Sequence, residues 1–117
     1  MEAERDIVKA TLRGVNRAII LWLISTEPMS GYRVIKEMER LTGQKFHQGN
    51  IYPLLYELEK NGAVQGEWKQ KGRLRIKHYQ ITKNGEKLLN HLREVFNLPI
   101  KEALEDLIEE KNVTQKE

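Results

Sequence analysis

The 117-residue chain sets 20 lysines and arginines against 17 aspartates and glutamates, for a formal net charge of +3, and it contains no cysteine. That length favours one small domain, whose core often gains support from a partner chain, and the missing cysteine excludes disulfides and thiolate metal sites. The longest apolar segment, 18–24, is too short to span a bilayer and the charged stretch through Lys9 does not resemble a secretory leader, so the expected compartment is the cytoplasm.

In chain order, Val8, Leu12, Val15, Ile19 and Leu23 recur at helical spacing and predict a first helix over about 5–25, weakened at Gly14 and ended by Glu27-Pro28. Ser30 suits the N-cap of a second helix, because its hydroxyl accepts from a backbone N–H that the helix leaves unpaired. Tyr32, Ile35, Met38 and Leu41 continue that helix, and Gly43 stops it. A third helix starts between Gln48 and Ile51. With Asn50 as cap, Pro53 falls in the first turn, where its missing N–H is harmless; with a start one turn earlier, Pro53 bends the helix. Its inner stripe is Ile51, Leu54, Leu55 and Leu58, and Asn61-Gly62 closes it.

Two partly alternating runs, "AVQGEWK" and "RIKHYQI", flank the turn "QKGR" and predict a hairpin over about 63–81. Its apolar face is expected to be Val64, Trp68, Ile76 and Ile81. Thr82 caps a last helical region, whose stripe runs through Leu88, Leu92, Val95 and Phe96 to Ile100, Leu104, Leu107 and Ile108. Pro99 makes this region one kinked helix or two. An isolated hairpin is only marginally stable and must rest on the helices. The fold class is therefore mostly α with a small β-hairpin, a winged helix-turn-helix.

In a helix-turn-helix, the second helix of the motif enters the major groove with its N-terminal residues foremost, and phosphates favour the positive end of a helix. That assigns DNA contact to the start of the third helix. Gln48 and Asn50 can pair with adenine edges, Tyr52 can offer a hydroxyl to a phosphate, and Lys45 and His47 add charge just ahead. Gly49 lets a backbone approach. The plainer reading is turn chemistry from Gly49 and Pro53, with Tyr52 as a half-buried aromatic. The run "KQKGRLRIK" is the second constellation: Lys71, Arg73 and Arg75 at a hairpin tip can reach a phosphate backbone or a minor groove. Lysines on an exposed strand also discourage edge pairing, but two arginines flanking Leu74 exceed that need. Tyr79, further along the strand, completes the expected DNA contacts. Basic charge on this ribbon and acidic charge from Glu102 to Glu110 polarise the molecule.

His47, His78 and His91 share neither a helical face nor a metal-ligand spacing, and no serine or threonine has a base placed beside it. The sequence therefore predicts no metal, no cofactor and no catalysis.

The segments "MSGYRVIKEME", "GNIYPLLYELEKNGAV" and "RIKHYQITKNGEKLL" resemble the PadR-like transcriptional regulators. The shared pattern is a Gly-Tyr pair at Gly31 and Tyr32; Gly49, Tyr52, Pro53 and Leu55 in the third helix; Leu58, Glu59 and Gly62 at its end; and Tyr79, Ile81, Thr82 and Gly85 after a basic wing. It covers roughly 14–92. The resemblance implies a homodimeric repressor that binds a palindromic operator in double-stranded DNA. It divides the chain into a DNA-binding domain over 1–82, a dimerisation helix over 83–110 and a frayed tail over 111–117. Leu92, Phe96, Ile100, Leu104, Leu107 and Ile108 would form the dimer interface, which gives that long stripe something to be buried against. In some relatives a small aromatic effector binds between aromatics at the dimer centre; Trp22 and Phe96 are the matching candidates here, and both also suit a core. Pro99 and the short tail depart from the long C-terminal helix the family pattern leads one to expect. A function of another class stays open: a winged-helix module that docks proteins through its basic wing.

Overall fold

A computed structural model describes residues 1–109. The expected frayed tail, 111–117, and the last residue of the expected dimerisation segment lie outside the described residues. The element order is α1 (Glu2–Thr26), β1 (Met29–Ser30), α2 (Gly31–Thr42), α3 (Gln48–Lys60), β2 (Val64–Lys71), β3 (Leu74–Ile81), α4 (Lys83–Phe96) and α5 (Ile100–Ile108).

The local signals act where the residue chemistry places them. The Ser30 hydroxyl accepts from the Arg33 N–H at 3.1 Å and starts α2. Gly43 ends it with φ at +71°, a left-handed conformation that costs glycine nothing. Thr82 caps α4: its Oγ1 accepts from the Gly85 N–H at 3.0 Å and donates to the Gly62 carbonyl at 2.6 Å. Gly72, with φ at +59°, makes the tight turn between β2 and β3.

The structure chooses between the two starts the sequence left open for the third helix, and it adds a strand to the expected hairpin. The third helix begins at Gln48 with His47 as its cap, the earlier of the two starts. Pro53 therefore sits inside the helix and withholds a hydrogen bond from the Gly49 carbonyl. The expected two-stranded hairpin is a three-stranded antiparallel sheet in the order β1-β3-β2, because Met29 and Ser30 pair with Tyr79 and His78. Two residues after a helix break carry too little periodicity to signal a strand. Pro99 divides the C-terminal stripe into two helices, α4 and α5.

The core gathers Ile20, Leu21 and Ile24 of α1, Val34 and Met38 of α2, all four predicted residues of α3, and Val64 and Tyr79 of the sheet. Several predicted stripe members lie elsewhere. Val8, Leu12 and Val15 are exposed, because the first half of α1 projects beyond the other helices. Tyr32 and Leu41 are exposed while Val34 takes their place, which rotates the buried face of α2 by about one residue. Trp68, expected in the apolar face of the hairpin, is 56% exposed. The ribbon outruns the helices at that point, and its burial ends after Gly66 on β2.

Candidate nucleic-acid interface

Lys45, His47, Gln48, Gly49 and Asn50 are all exposed at the start of α3. Phe46, between them, packs against the core and anchors the turn; its N–H donates to Glu39 Oε2 at 3.1 Å. Asn50 Oδ1 accepts the His47 N–H at 3.3 Å, which fastens the cap and leaves the side-chain amide nitrogen as a donor for an outside group. The turn is thus pinned from behind, with its polar front open to solvent.

Tyr52 does two things. Its ring lies on Gly31, so close that a Cβ at Gly31 would stand 2.5 Å from the ring Cε1. Gly31 therefore exists to seat Tyr52, and the two residues lock the start of α2 to the first turns of α3. The ring remains 37% exposed. On the outer side of α3, Tyr56 is 69% exposed and was not singled out by the sequence, which shows a Tyr next to apolar neighbours without saying which way it turns. It follows Tyr52 by one helical turn, so the two offer neighbouring aromatic surface.

The basic ribbon is split between two faces. In the antiparallel register Trp68 opposes Lys77 and Gln70 opposes Arg75, while Lys69 opposes Ile76 and Lys71 opposes Leu74. Side chains alternate across a strand, so Arg75, Lys77 and Trp68 share one face and Lys71 lies on the other. Arg73 sits at the turn. Trp68 is bracketed by cations: the Arg75 guanidinium lies 5.2 Å and the Lys77 ammonium 5.8 Å from its ring centre. Lys77 also lies 5.2 Å from the Tyr79 ring.

Tyr79 is not available for DNA contact. It is 6% exposed and part of the core, and burial pushes its hydroxyl above the usual tyrosine range. A strand position two residues deeper than Lys77 passes beneath the helices, and the strand pattern alone does not locate that edge.

Glu59, near the end of α3, joins helix to ribbon. Its carboxylate accepts from Lys77 Nζ at 2.8 Å and from the Gly66 N–H at 3.1 Å. These hydrogen bonds, the lysine's first, hold the Glu59 carboxyl below the usual range against the opposing effect of burial, and the same bond raises the Lys77 ammonium. Arg17 pairs with Glu57 and ties α1 to α3 on the other side.

The residues expected at a dimer interface fall on α4 and α5. Leu92 is half-buried against the core; Phe96, Ile100, Leu104, Leu107 and Ile108 are exposed. Trp22 and Phe96 line one cleft of about 260 Å³ between α1 and α4, together with Val15, Ile19, Leu89 and Leu92. Among the described residues no group of three His, Cys, Asp or Glu side chains is placed to hold a metal ion, and no helix is long and apolar enough to cross a membrane.

A helix-turn-helix with its polar turn exposed, followed by a basic β-ribbon, defines a winged-helix DNA-binding regulator. Residues 20–91 match the profile of the Transcriptional regulator PadR-like family, and the chain belongs to that family. Solved proteins to which it is similar in fold and sequence include the following three. A candidate transcriptional regulator of Thermoplasma acidophilum is 30% identical, with 84% of this chain and 95% of that one covered and a TM-score of 0.75. A PadR-like transcriptional regulator of Bacillus cereus is 26% identical over 85% and 96%, with a TM-score of 0.73. A transcriptional regulator of Clostridium thermocellum is 26% identical over 82% and 93%, with a TM-score of 0.72. None of the curated proteins matches the chain.

Proposed function

We infer that this regulator is a cytoplasmic homodimeric repressor that reads a palindromic operator, with α3 in the major groove and the basic ribbon on the phosphate backbone or in the minor groove. The observation that carries the reading is the start of α3: four exposed residues that can donate, His47, Gln48, Gly49 and Asn50, bracketed by the half-buried Phe46 and the buried Ile51, with Lys45 exposed just ahead. A surface anchored by Phe46 and the Asn50–His47 hydrogen bond, and left polar, suits base edges and phosphates. Gln48 and Asn50 would read bases. Lys45, His47 and Tyr52 would fix the register. Arg73, Arg75 and Lys71 would neutralise phosphates, Lys71 from the opposite face of the ribbon.

Dimerisation through α4 and α5 is supported by the apolar side chains those helices leave open. Two-fold symmetry would place half-sites about one helical turn apart, near 10 base pairs. Selecting preferred duplexes from a random pool tests binding, symmetry and spacing together; recovery of inverted repeats is the expected outcome. If no duplex is retained even at low salt, the chain is instead a docking module for an acidic protein, and the DNA reading fails.

A second reading, a sensor of planar aromatic compounds, is favoured by Trp22 and Phe96 lining the same cleft. It predicts quenching of Trp22 fluorescence by such compounds, and a flat titration across a broad panel sinks it.

A further inference from the structure

Glu59 takes no part in the proposed DNA contacts, yet its position is unusual. A carboxylate in the last turn of a helix opposes the helix dipole. Two tertiary contacts offset that cost: the Gly66 N–H of β2 and the Lys77 ammonium of β3. The pair is better shielded than a typical surface bridge, with 30% and 26% of the two side chains exposed. Gly66 is part of the arrangement. A Cβ there would lie 2.1 Å from Lys77 Cε and 2.9 Å from Glu59 Oε2, so a side chain at this position would push both members of the bridge aside.

The contacts continue toward the tip. Lys77 lies over one side of Trp68 and Arg75 over the same ring, so Glu59, Lys77, Trp68 and Arg75 form an unbroken chain from the recognition helix to a basic side chain of the wing. Beyond Gly66 the side chains of β2 are exposed, and a free two-stranded ribbon is marginally stable. Without a brace, Arg73 and Arg75 would sample many directions, and each would lose conformational freedom in being immobilised on DNA.

We propose that Glu59 is a positioning residue for DNA binding: through Lys77 and Trp68 it fixes the wing relative to α3, so that the arginines of the tip and the start of the helix meet one duplex together. Glu59 itself touches no DNA. This rests on the reading of the ribbon as a DNA contact.

The full chain tests it with operator duplex titrated across a range of salt, for the wild type, Glu59→Ala, Glu59→Gln, an Arg73→Ala/Arg75→Ala pair, and that pair combined with Glu59→Ala. Removing a carboxylate raises the net charge, so electrostatics alone predicts tighter binding by Glu59→Ala. The lock predicts weaker binding, by about tenfold for coupled residues of this kind, with a shallower salt slope and faster exchange of the Gly66 amide. Glu59→Gln keeps an acceptor for that amide and recovers part of the loss. In the background that already lacks both arginines, Glu59→Ala costs nothing further. Should the alanine variant not fold, Lys77→Met, which keeps the aliphatic stem over Trp68, replaces it in the same cycle. Wild-type affinity for Glu59→Ala alongside weakened binding by the arginine pair overturns the lock and leaves the wing reading standing. Losses that add in the combined variant also overturn it, because Glu59 would then act by another route. Wild-type affinity for the arginine pair itself removes the wing from the interface, and the lock with it.

Discussion

At the scale of single residues, the two members of the Glu59–Lys77 bridge titrate in opposite senses. Glu59 is held below the usual carboxylate range by its hydrogen bond from Lys77. Its contribution to stability is complete above the unfolded value of about 4.3 and disappears as pH falls through the lower folded value. Lys77 is raised, so its contribution is complete below about 10.4 and is lost as pH rises through its folded value. The stability difference between wild type and Glu59→Gln should therefore be larger at neutral pH than near pH ~3, as read by chemical denaturation; an equal gap at both values rules the assignment out. Glycines give a second contrast. At Gly85 a Cβ would stand 2.0 Å from the Ala63 carbonyl oxygen, a backbone atom that cannot step aside. Gly85→Ala should destabilise by about 1–3 kcal/mol, the range for overpacking. At Gly14 a Cβ meets nothing within 4 Å, so Gly14→Ala should stabilise by about 0.5–1 kcal/mol through helix propensity. Thermal melts of the two variants should move in opposite directions. Two glycines in helices look alike in sequence; only the atoms across from them differ.

At the scale of elements, caps and stops were legible because they are local. Ser30, Gly43 and Thr82 each act within a few residues of themselves. Thr82 also reaches the Gly62 carbonyl, and so couples the start of α4 to the loop after α3. Thr82→Ala should cost about 1–2 kcal/mol for a lost cap with a tertiary bond, while Thr82→Ser, which keeps the hydroxyl, should recover most of it in denaturant melts. The start of α3 was ambiguous for a physical reason. Asn50 is a good cap by composition, yet its Oδ1 turns back to the His47 N–H and supports a cap one turn earlier. Phe46, packed on the core, holds the chain there, and a proline tolerated inside the helix follows. The buried faces of α2 and the ribbon were read less well. Alternation and 3.6-residue spacing identify a face, but how far neighbours cover it is set by lengths of other elements, so Tyr32, Trp68 and Tyr79 changed places between core and surface.

For the molecule as a whole, the Cα radius of gyration is 16.9 Å and the long axis 66 Å, against about 13 Å for a compact chain of 100 residues. The excess lies in the projecting half of α1 and in α5, which has no buried residue of its own. Ile7, Val8 and Leu12 on the projecting half of α1, and Ile100, Leu104, Leu107 and Ile108 on α5, are all exposed, and exposed apolar side chains grouped on an element mark an interaction surface. Removing residues after Asn97 should therefore give a monomer by sedimentation and abolish specific binding; a truncated chain that stays dimeric would place the interface elsewhere. Loss of Arg73 and Arg75 should weaken binding to all duplexes alike and flatten the salt slope by about 0.9 for each phosphate no longer neutralised. Loss of Asn50 should shift base preference instead, and competition between related duplexes separates the two effects.

The amino-acid sequence by itself determined the order of helices and ribbon, three of the caps, the inner stripe of α3 and the placing of basic charge at a turn, since each depends on side chains close together along the chain. The tertiary structure alone decided that Tyr79 is buried and Trp68 is not, that Met29 and Ser30 form a strand, that Gly31 lies against Tyr52, and that Glu59 bonds to Gly66 and Lys77 of the ribbon. Those outcomes depend on residues well separated along the chain, where packing and the reach of neighbouring elements, rather than any local preference, set the energy.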